Sequence, residues 1–506
     1  MQLVPLLAEM VSARQRERLK RRRARDNKPR AAPAEDDTHN DEEEDDRGDR
    51  FQAYADYYKR QKLFPRSGDH VAFLRSLRAP LPATFRRNGL RPAAFDAAMA
   101  TFDAVAARCR GDVVKTLAGG AWWRLDLGRS ALKHADDPAL RALNGWLQAA
   151  ARGGGVVRQE LVSGAPSELL GVRPGDAVLD VCAAPGSKTS QYCEAARLVV
   201  ANDADPRRAY ILASKLRSLG CSSKCVVTCH RGQAFPATAL KFDRVACDVP
   251  CSGDGTVRKI PSLLKVWARP GRRLHALQLQ IVLRGLRLLK VGGTMVFSTC
   301  SFDPLENEAV VAAALRACQG AFVVRDCASL VASSPLLACL APRPGLKTWA
   351  VLDDGGAALA YDPAAKRERR ASLWPPEEPD IASQLPRCLR FYPHDSRDGG
   401  GFFAAVFDKV AELPAGDPRT RPRTPRAGAP VAGYRELDAR RDAAALRAAP
   451  PELRGRLLTR SPAGAAARRV TVAPCAAAEL AGLRLVAAGE IRWSRRDDGS
   501  YREVAA

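Results

Sequence analysis

Beyond Gly153-Gly154-Gly155, short apolar runs alternate with stretches of helical periodicity, and this alternation constrains the fold more than any other feature of the chain. Runs of four or five apolar residues separated by helical segments make βαβ units and a largely parallel, doubly wound sheet, so the class is α/β. The pattern predicts strands at 177–181, 198–202, 225–228, 244–247 and 294–298. The clearest helix is expected over 274–290, stopped by Gly292-Gly293. In such a sheet ligands bind beyond the carboxyl ends of the strands. The residues just after each strand therefore bear on function.

After the first strand comes Cys182-Ala183-Ala184-Pro185-Gly186-Ser187-Lys188, whose small residues let a backbone turn approach a ligand closely. Asn202-Asp203 comes after the second strand, placing a carboxylate where it could accept both hydroxyls of a ribose. Asp248-Val249-Pro250-Cys251-Ser252-Gly253 comes after the fourth, and Thr299-Cys300-Ser301 after the fifth. These four segments converge on one sheet edge. A P-loop is excluded, since Ser187 separates Gly186 from Lys188 and no earlier glycine has the right spacing. The Gly-x-Gly-x-x-Gly of a nicotinamide site is absent too. Cys251 and Cys300 stand at strand ends beside turn residues, where a thiolate can act as a nucleophile. Cys182, Cys193, Cys247 and Cys388 read as small hydrophobes in the thiol form.

The chain carries 80 Lys and Arg against 56 Asp and Glu, a net +24, which attracts polyanions such as RNA or DNA. Codon bias in an Ala- and Arg-rich chain is the plain alternative. The 14 cysteines are scattered rather than spaced as a disulfide framework, so thiols in a reducing, intracellular compartment are expected. No run of 18 apolar residues occurs, and no membrane association is predicted. Residues 1–50 hold a basic block, Arg14–Arg30, and an acidic one, Glu35–Asp46, and are expected to be a disordered charged tail. The basic block suggests nuclear, including nucleolar, residence, with the cytoplasm as the alternative. The expected domains are 51–150 (N-terminal region), 151–410 (core), 411–451 (Pro/Arg-rich linker) and 452–506. The last holds β-like runs at 469–472 and 490–493 with an Ala-rich helical stretch between them.

The segments Cys182–Lys188 (CAAPGSK), Asp248–Gly255 (DVPCSGDG) and Ser298–Glu308 (STCSFDPLENE) resemble the motifs of the RNA cytosine-5 methyltransferases of the RsmB/Nop (Nop/Sun, NSUN) type. Further similarity lies in Gly155–Glu160, Tyr392–Phe403 and Pro80–Arg86, the last closest to the eukaryotic tRNA-methylating subgroup. The resemblance implies a Rossmann-like class I methyltransferase sheet, a small N-terminal α/β RNA-recognition domain and a shortened PUA-like C-terminal segment. It implies a monomer acting on RNA, tRNA rather than ribosomal RNA, with S-adenosyl-L-methionine as cofactor. Cys300 would be the nucleophile and Cys251 the group assisting release. Asp248 and Lys188 would lie by cofactor and base together. Cys182, Ala183, Ala184, Pro185, Gly186, Ser187, Lys188, Asp203 and Asp248 would form the cofactor shell. Two positions depart from the pattern. Arg231 stands where an acidic residue is expected, with Gln233 as a possible substitute, and Ser163-Gly164-Ala165-Pro166 replaces Ser-Met-Ile-Pro. A catalytically weak RNA-binding scaffold on the same fold is the reading from another class.

Several further readings remain open. Cys221, Cys225, Cys229 and His230 could suggest a metal, though strand alternation at Val226-Val227 argues against it. Glu306 and Glu308 fit the first turn of a helix, with Glu306 also able to hold the loop that carries Cys300. Tyr54, Tyr57 and Tyr58 could stack bases or form a packing face. Pro80–Arg86 could contact RNA or dock the N-terminal region.

Overall fold

The structure is a computed structural model that describes residues 50–109, 114–238, 240–267, 271–353, 356–361, 371–396 and 399–413, with short stretches between 435 and 503. The expected tail at 1–50 and most of the expected linker lie outside the described residues. Gln52–Ala506 form a compact unit of their own.

Four antiparallel strands form the N-terminal sheet: β1 (Pro82–Arg87), β2 (Val114–Leu117), β3 (Trp122–Gly128) and β4 (Val156–Arg158), in the order β2-β3-β1-β4. Helix α1 (Pro138–Arg152) lays Leu143 and Leu147 over Phe85, Trp123 and Leu125. Asp137 caps α1 by accepting from Ala139 N–H at 2.7 Å, and proline sits where the missing N–H costs nothing. The joint expected at Gly153-Gly154-Gly155, with the domain boundary drawn at 150–151, falls before β4, which pairs with β1. Gly155 explains the path: a Cβ there would stand 2.4 Å from the Ala94 carbonyl, so only glycine lets the chain run so close to the helix Pro92–Met99.

The core sheet holds β5 (Ala177–Asp180), β6 (Leu198–Asn202), β7 (Cys225–Thr228), β8 (Phe242–Asp248), β9 (Leu289–Thr299), β10 (Phe322–Val324), β11 (Arg343–Pro344), β12 (Leu389–Phe391) and β13 (Phe402–Lys409). Its central order, β9-β8-β5-β6-β7, is parallel throughout. Helices α2 (Ser187–Ala195), α3 (Pro206–Ser218), α4 (Gly271–Leu288) and α5 (Glu308–Cys318) pack on it. Leu179, Val200, Val226, Val245 and Phe297 face one way, towards Ile281 and Val282 of α4 and Val310 of α5. Their neighbours Val178, Val199, Val227, Ala246 and Val296 face the other, towards Tyr192 of α2 and Leu212 and Leu216 of α3. Burial on both faces is why these strands read as unbroken apolar runs. Strand order reverses at β5, which opens a crevice beyond the ends of β5 and β8.

All five predicted core strands are present, while the edges differ from expectation. β13 extends the sheet antiparallel to β9, and β12 pairs antiparallel with β13. Further strands are β14 (Arg435–Glu436), β15 (Leu457–Thr459), β16 (Arg469–Val472), β17 (Leu485–Ala488), β18 (Glu490–Arg495) and β19 (Tyr501–Glu503). Of these, β14, β15, β16, β18 and β19 make a separate antiparallel sheet. β17 falls in the stretch expected to be helical, yet it pairs antiparallel with β7 and closes that edge of the core sheet.

The N-terminal sheet is fastened to the core by buried polar contacts. Arg86 donates from Nε to Gln159 at 2.9 Å and from Nη2 to Ser190 at 2.7 Å, and it pairs with Glu194. Asn88 Nδ2 donates to the carbonyls of Gly154 at 2.6 Å and Leu219 at 3.0 Å. Pro80–Arg86 is thus a docking segment, with Arg86 turned inward rather than towards phosphate.

Candidate active site

Beyond β5 the backbone turns through 181–186 and enters α2. Gly186 has φ of 99°, and a Cβ there would meet Leu212 at 2.7 Å. A side chain at this position would meet both left-handed strain and a clash. The turn is tied down by Ala183 N–H to the Asn202 carbonyl at 2.7 Å and by the Thr189 hydroxyl to Asp180 at 2.7 Å. Asp180 is fully buried, and burial pushes its carboxyl up to about 7. Cys182 is half-buried and packs on the core; burial holds its thiol well above the usual range. That environment suits a packing role for its sulfur.

At the end of β6, Asp203 accepts Asp205 N–H at 3.0 Å and pairs with Arg208 at 3.3 Å. Arg208 also donates to the Ala184 carbonyl at 2.9 Å, so it bridges the first two segments. Asn202, fully buried, joins three strand ends. Its Nδ2 donates to the carbonyls of Val181 and His230, and its Oδ1 accepts from Thr228 and from His230 N–H, each at 2.9 to 3.0 Å. The loop after β7 is therefore fixed without an acidic residue. Arg231 is exposed at the start of a short turn, Gly232–Ala234, and Gln233 is half-buried. A close glycine turn, a carboxylate at the next strand end and backbone groups between them fit a nucleoside-bearing cofactor.

Asp248 closes β8. Its Oδ2 pairs with Lys188 Nζ at 2.8 Å, and its Oδ1 accepts from the Ser298 hydroxyl at 2.8 Å. Burial disfavours the Lys188 charge, but the Asp248 carboxylate outweighs it and holds the ammonium above the ordinary lysine range. Cys251 and Cys300 lie on the next two loops with their sulfurs 3.4 Å apart. The hydrogen bond with Cys300 comes first, and burial second, in raising the Cys251 thiol well above its usual value.

The loops carrying these thiols are anchored by groups with no motif signature of their own. Glu306 is fully buried and accepts from Ser252 N–H at 2.9 Å, from the Ser252 hydroxyl at 2.5 Å and from Gln278 at 3.1 Å. Ser252 also meets the Ser301 hydroxyl at 3.1 Å, coupling the two loops. The sequence reading has Glu306 able to hold the Cys300 loop; its carboxylate grips Ser252, the residue after Cys251, and also hydrogen-bonds Ser301, the residue after Cys300. Glu308 does begin α5 but is buried in a bidentate pair with Arg390, at 2.5 and 2.6 Å. Arg390 in turn donates to the Phe302 carbonyl at 2.9 Å. Tyr54 and Tyr57 donate to the Asp254 carbonyl at 3.1 Å and to Asp303 at 3.0 Å. They and Tyr58 are buried, so this cluster braces the loops that follow Cys251 and Cys300 and is a packing face. Arg258 donates to the carbonyls of Ala79, Pro80 and Gly399, at 2.7 to 3.1 Å.

Cys193, Cys221 and Cys225 are buried around one another beneath α2 and α3, and Cys247 and Cys388 are buried in the core. Among the described residues no group of three or more His, Cys, Asp or Glu is arranged to hold a metal ion.

The structure thus brings all four motif segments to one crevice. Residues 167–329 match the family model described as 16S rRNA methyltransferase RsmB/F. The multisite-specific tRNA:(cytosine-C(5))-methyltransferase trm4b of Schizosaccharomyces pombe is 38% identical over 71% of this chain and 59% of its own length. The multisite-specific tRNA:(cytosine-C(5))-methyltransferase of Saccharomyces cerevisiae is 37% identical over 70% of this chain and 55% of its own. The tRNA (cytosine(34)-C(5))-methyltransferase of Drosophila melanogaster is 34% identical over 71% and 53%. The chain spans little more than half the length of these relatives. Motifs, crevice and matches together make residues 167–329 a methyltransferase domain of the RsmB/F family.

Proposed function

We propose that this chain transfers a methyl group to carbon 5 of cytosine in RNA, with tRNA as substrate and S-adenosyl-L-methionine as methyl donor. The observation that carries this reading is the pair of thiols 3.4 Å apart beside the Lys188–Asp248 pair. The names of the similar tRNA methyltransferases support the substrate class.

When bound, the cofactor supplies an electrophilic methyl group. The turn 182–187 would pack against it and Asp203 would accept its ribose hydroxyls. Cytosine C5 is a weak nucleophile until a group adds at C6. In this reading a flipped base enters the crevice, and the Cys300 sulfur forms a bond to C6. Asp248 hydrogen-bonds the base edge and favours protonated N3, while Lys188 keeps that carboxylate oriented. C5 then takes the methyl group. Cys251 accepts the C5 proton, the C6–S bond breaks and Cys300 is freed.

The thiol contact gives this division of labour a physical basis. While Cys300 is free, its sulfur is the leading reason that Cys251 holds its proton. Once the Cys300 sulfur is a thioether bonded to carbon, that hydrogen bond is weakened. The Cys251 thiol then releases its proton to solvent more readily, and a larger share of it stands as the thiolate that can accept the C5 proton. Nuclear residence, suggested by Arg14–Arg30, belongs to the same proposal and is tested by imaging the tagged full chain.

Calorimetry with the cofactor, followed by methyl transfer to unmodified tRNA and to ribosomal RNA fragments, tests the function. Micromolar cofactor binding and 5-methylcytosine in tRNA are expected. Product only in ribosomal RNA would correct the substrate. RNA binding with no cofactor binding up to millimolar would favour the scaffold reading.

A further inference from the structure

A cleft of about 660 Å³ lies apart from the thiol crevice, between the N-terminal region and the core. Its two walls are single helix faces. Gln148 and Arg152 stand at i, i+4 on α1; Ile211 and Lys215 stand at i, i+4 on α3. Arg158, at the end of β4, completes the lining, and among the described residues the cleft is lined by no acid. Three cations in one concave site make it an anion site by charge. An apolar surface sits beside them. Tyr210 and Ile211 are 61% and 60% exposed, neighbours on the helix that forms one wall. Basic side chains with an exposed aromatic ring are the combination that holds single-stranded nucleic acid, charge on the backbone and ring against a base.

The cleft is braced open and linked to the candidate active site. Asn88 pins its two walls together at the α3 end, through Gly154 and Leu219. Lys215 Nζ donates to the Ser187 hydroxyl at 2.7 Å, at the end of the glycine turn. Two residues after Arg158, Glu160 accepts Gly400 N–H at 3.1 Å and pairs with Lys259 at 3.3 Å. Gly400 precedes Gly401, whose N–H donates to the Gly255 carbonyl on the Cys251 loop at 2.8 Å. Two residues span at most roughly 7 Å, so Arg158 lies within that reach of Glu160, whose partner segment contacts the loop that carries Cys251.

We propose that this cleft binds the single-stranded RNA flanking the target cytosine, with Arg152, Arg158 and Lys215 on phosphates and Tyr210 against a base. The inference rests on the proposed RNA methyltransferase activity and adds to it the route of the strand.

The test uses the full chain and a fluorescent single-stranded RNA carrying the target cytosine, read by anisotropy over a series of salt concentrations. Methyl transfer is measured in parallel. Arg152→Ala/Arg158→Ala removes two phosphate contacts and should flatten the log–log salt slope by about 1.4, at roughly 0.7 per contact on a single strand. It should raise KM for RNA about tenfold while kcat stays within twofold. Tyr210→Ala should weaken binding by roughly fivefold or more, as expected for one stacked base. These residues line the surface, and unchanged circular dichroism and thermal midpoint verify the fold. If wild type transfers methyl but the variants keep its salt slope and KM, the cleft assignment falls alone. If wild type binds RNA but transfers no methyl, while the double variant still shows the predicted slope change, the activity falls and the cleft stands. Variants that bind RNA more tightly or turn over faster would point to an acidic segment of the chain in the cleft, and would overturn the RNA assignment.

Discussion

Replacing Glu306 tests whether a buried carboxylate outside the reacting atoms sets the position of Cys251. The Glu306→Ala variant leaves Ser252 N–H and one N–H of Gln278 without an acceptor, while the Ser252 hydroxyl keeps only Ser301 and Gln278 keeps the Pro250 carbonyl. Each buried unsatisfied group costs about 1–3 kcal/mol, and hydrogen bonds to a charged acceptor lie in the upper part of that range. Burial raises the Glu306 carboxyl above its ordinary value, so its removal also relieves desolvation and offsets part of the loss. The net expectation is a loss of about 3 kcal/mol in urea-induced unfolding. Glu306→Gln keeps one acceptor oxygen and should lose about 1 kcal/mol. The functional consequence is separate from the stability loss. With Ser252 released, the 3.4 Å contact between Cys251 and Cys300 is no longer enforced, and release of the methylated base should slow. Glu306→Ala should therefore accumulate a denaturation-resistant protein–RNA band below its unfolding midpoint, and Glu306→Gln a weaker one. Wild-type stability in Glu306→Ala, with turnover and no trapped band, would refute the reasoning.

Arg390→Met should destabilise by about 3–5 kcal/mol because it strands the buried Glu308 charge, and Arg390→Met/Glu308→Gln should recover most of that loss in the same denaturation assay. Asp180 and Asp303 are both raised by burial to about 7, so each binds its proton more tightly in the folded state. Their contribution is fully present below the ordinary carboxylate range and is lost as pH rises through about 7. Unfolding midpoints measured from pH 5 to 8 should fall less steeply in Asp180→Asn than in wild type. Gly186→Ala introduces a side chain at φ of 99° and 2.7 Å from Leu212; calorimetry should show cofactor affinity reduced at least tenfold. Lys188→Met leaves Asp248 without its cation and should depress kcat more than KM for RNA, measured by steady-state transfer.

The central strands were legible because burial on both faces forces continuous apolar runs, at Leu198–Asn202 and Cys225–Thr228 above all. The motif residues were legible because strand ends at a topological reversal converge whatever the rest of the chain does. β17 was not legible. Leu485–Ala488 has an alanine-rich, helix-favouring composition, and pairing with β7 overrides that preference. The assignment of β4 escaped for a related reason, since register with β1 is a long-range choice that three residues do not encode. The clamp formed by Glu306, Ser252 and Gln278 joins residues from three separate segments, so no local spacing announces it. The fully buried Tyr54 shows the converse. Aromatic spacing on a helix fits a stacking face and a packing face equally, and only the partner at Asp254 decides between them.

The most direct test of the account is transfer of labelled methyl from S-adenosyl-L-methionine to unmodified tRNA by wild type, Cys300→Ala and Cys251→Ala, each run on a denaturing gel. The account predicts labelled tRNA with wild type and no label with Cys300→Ala. Cys251→Ala should give a trapped protein–RNA band whose cross-linked peptide contains Cys300. Full activity in Cys300→Ala, or a cross-link at any other residue, would contradict it.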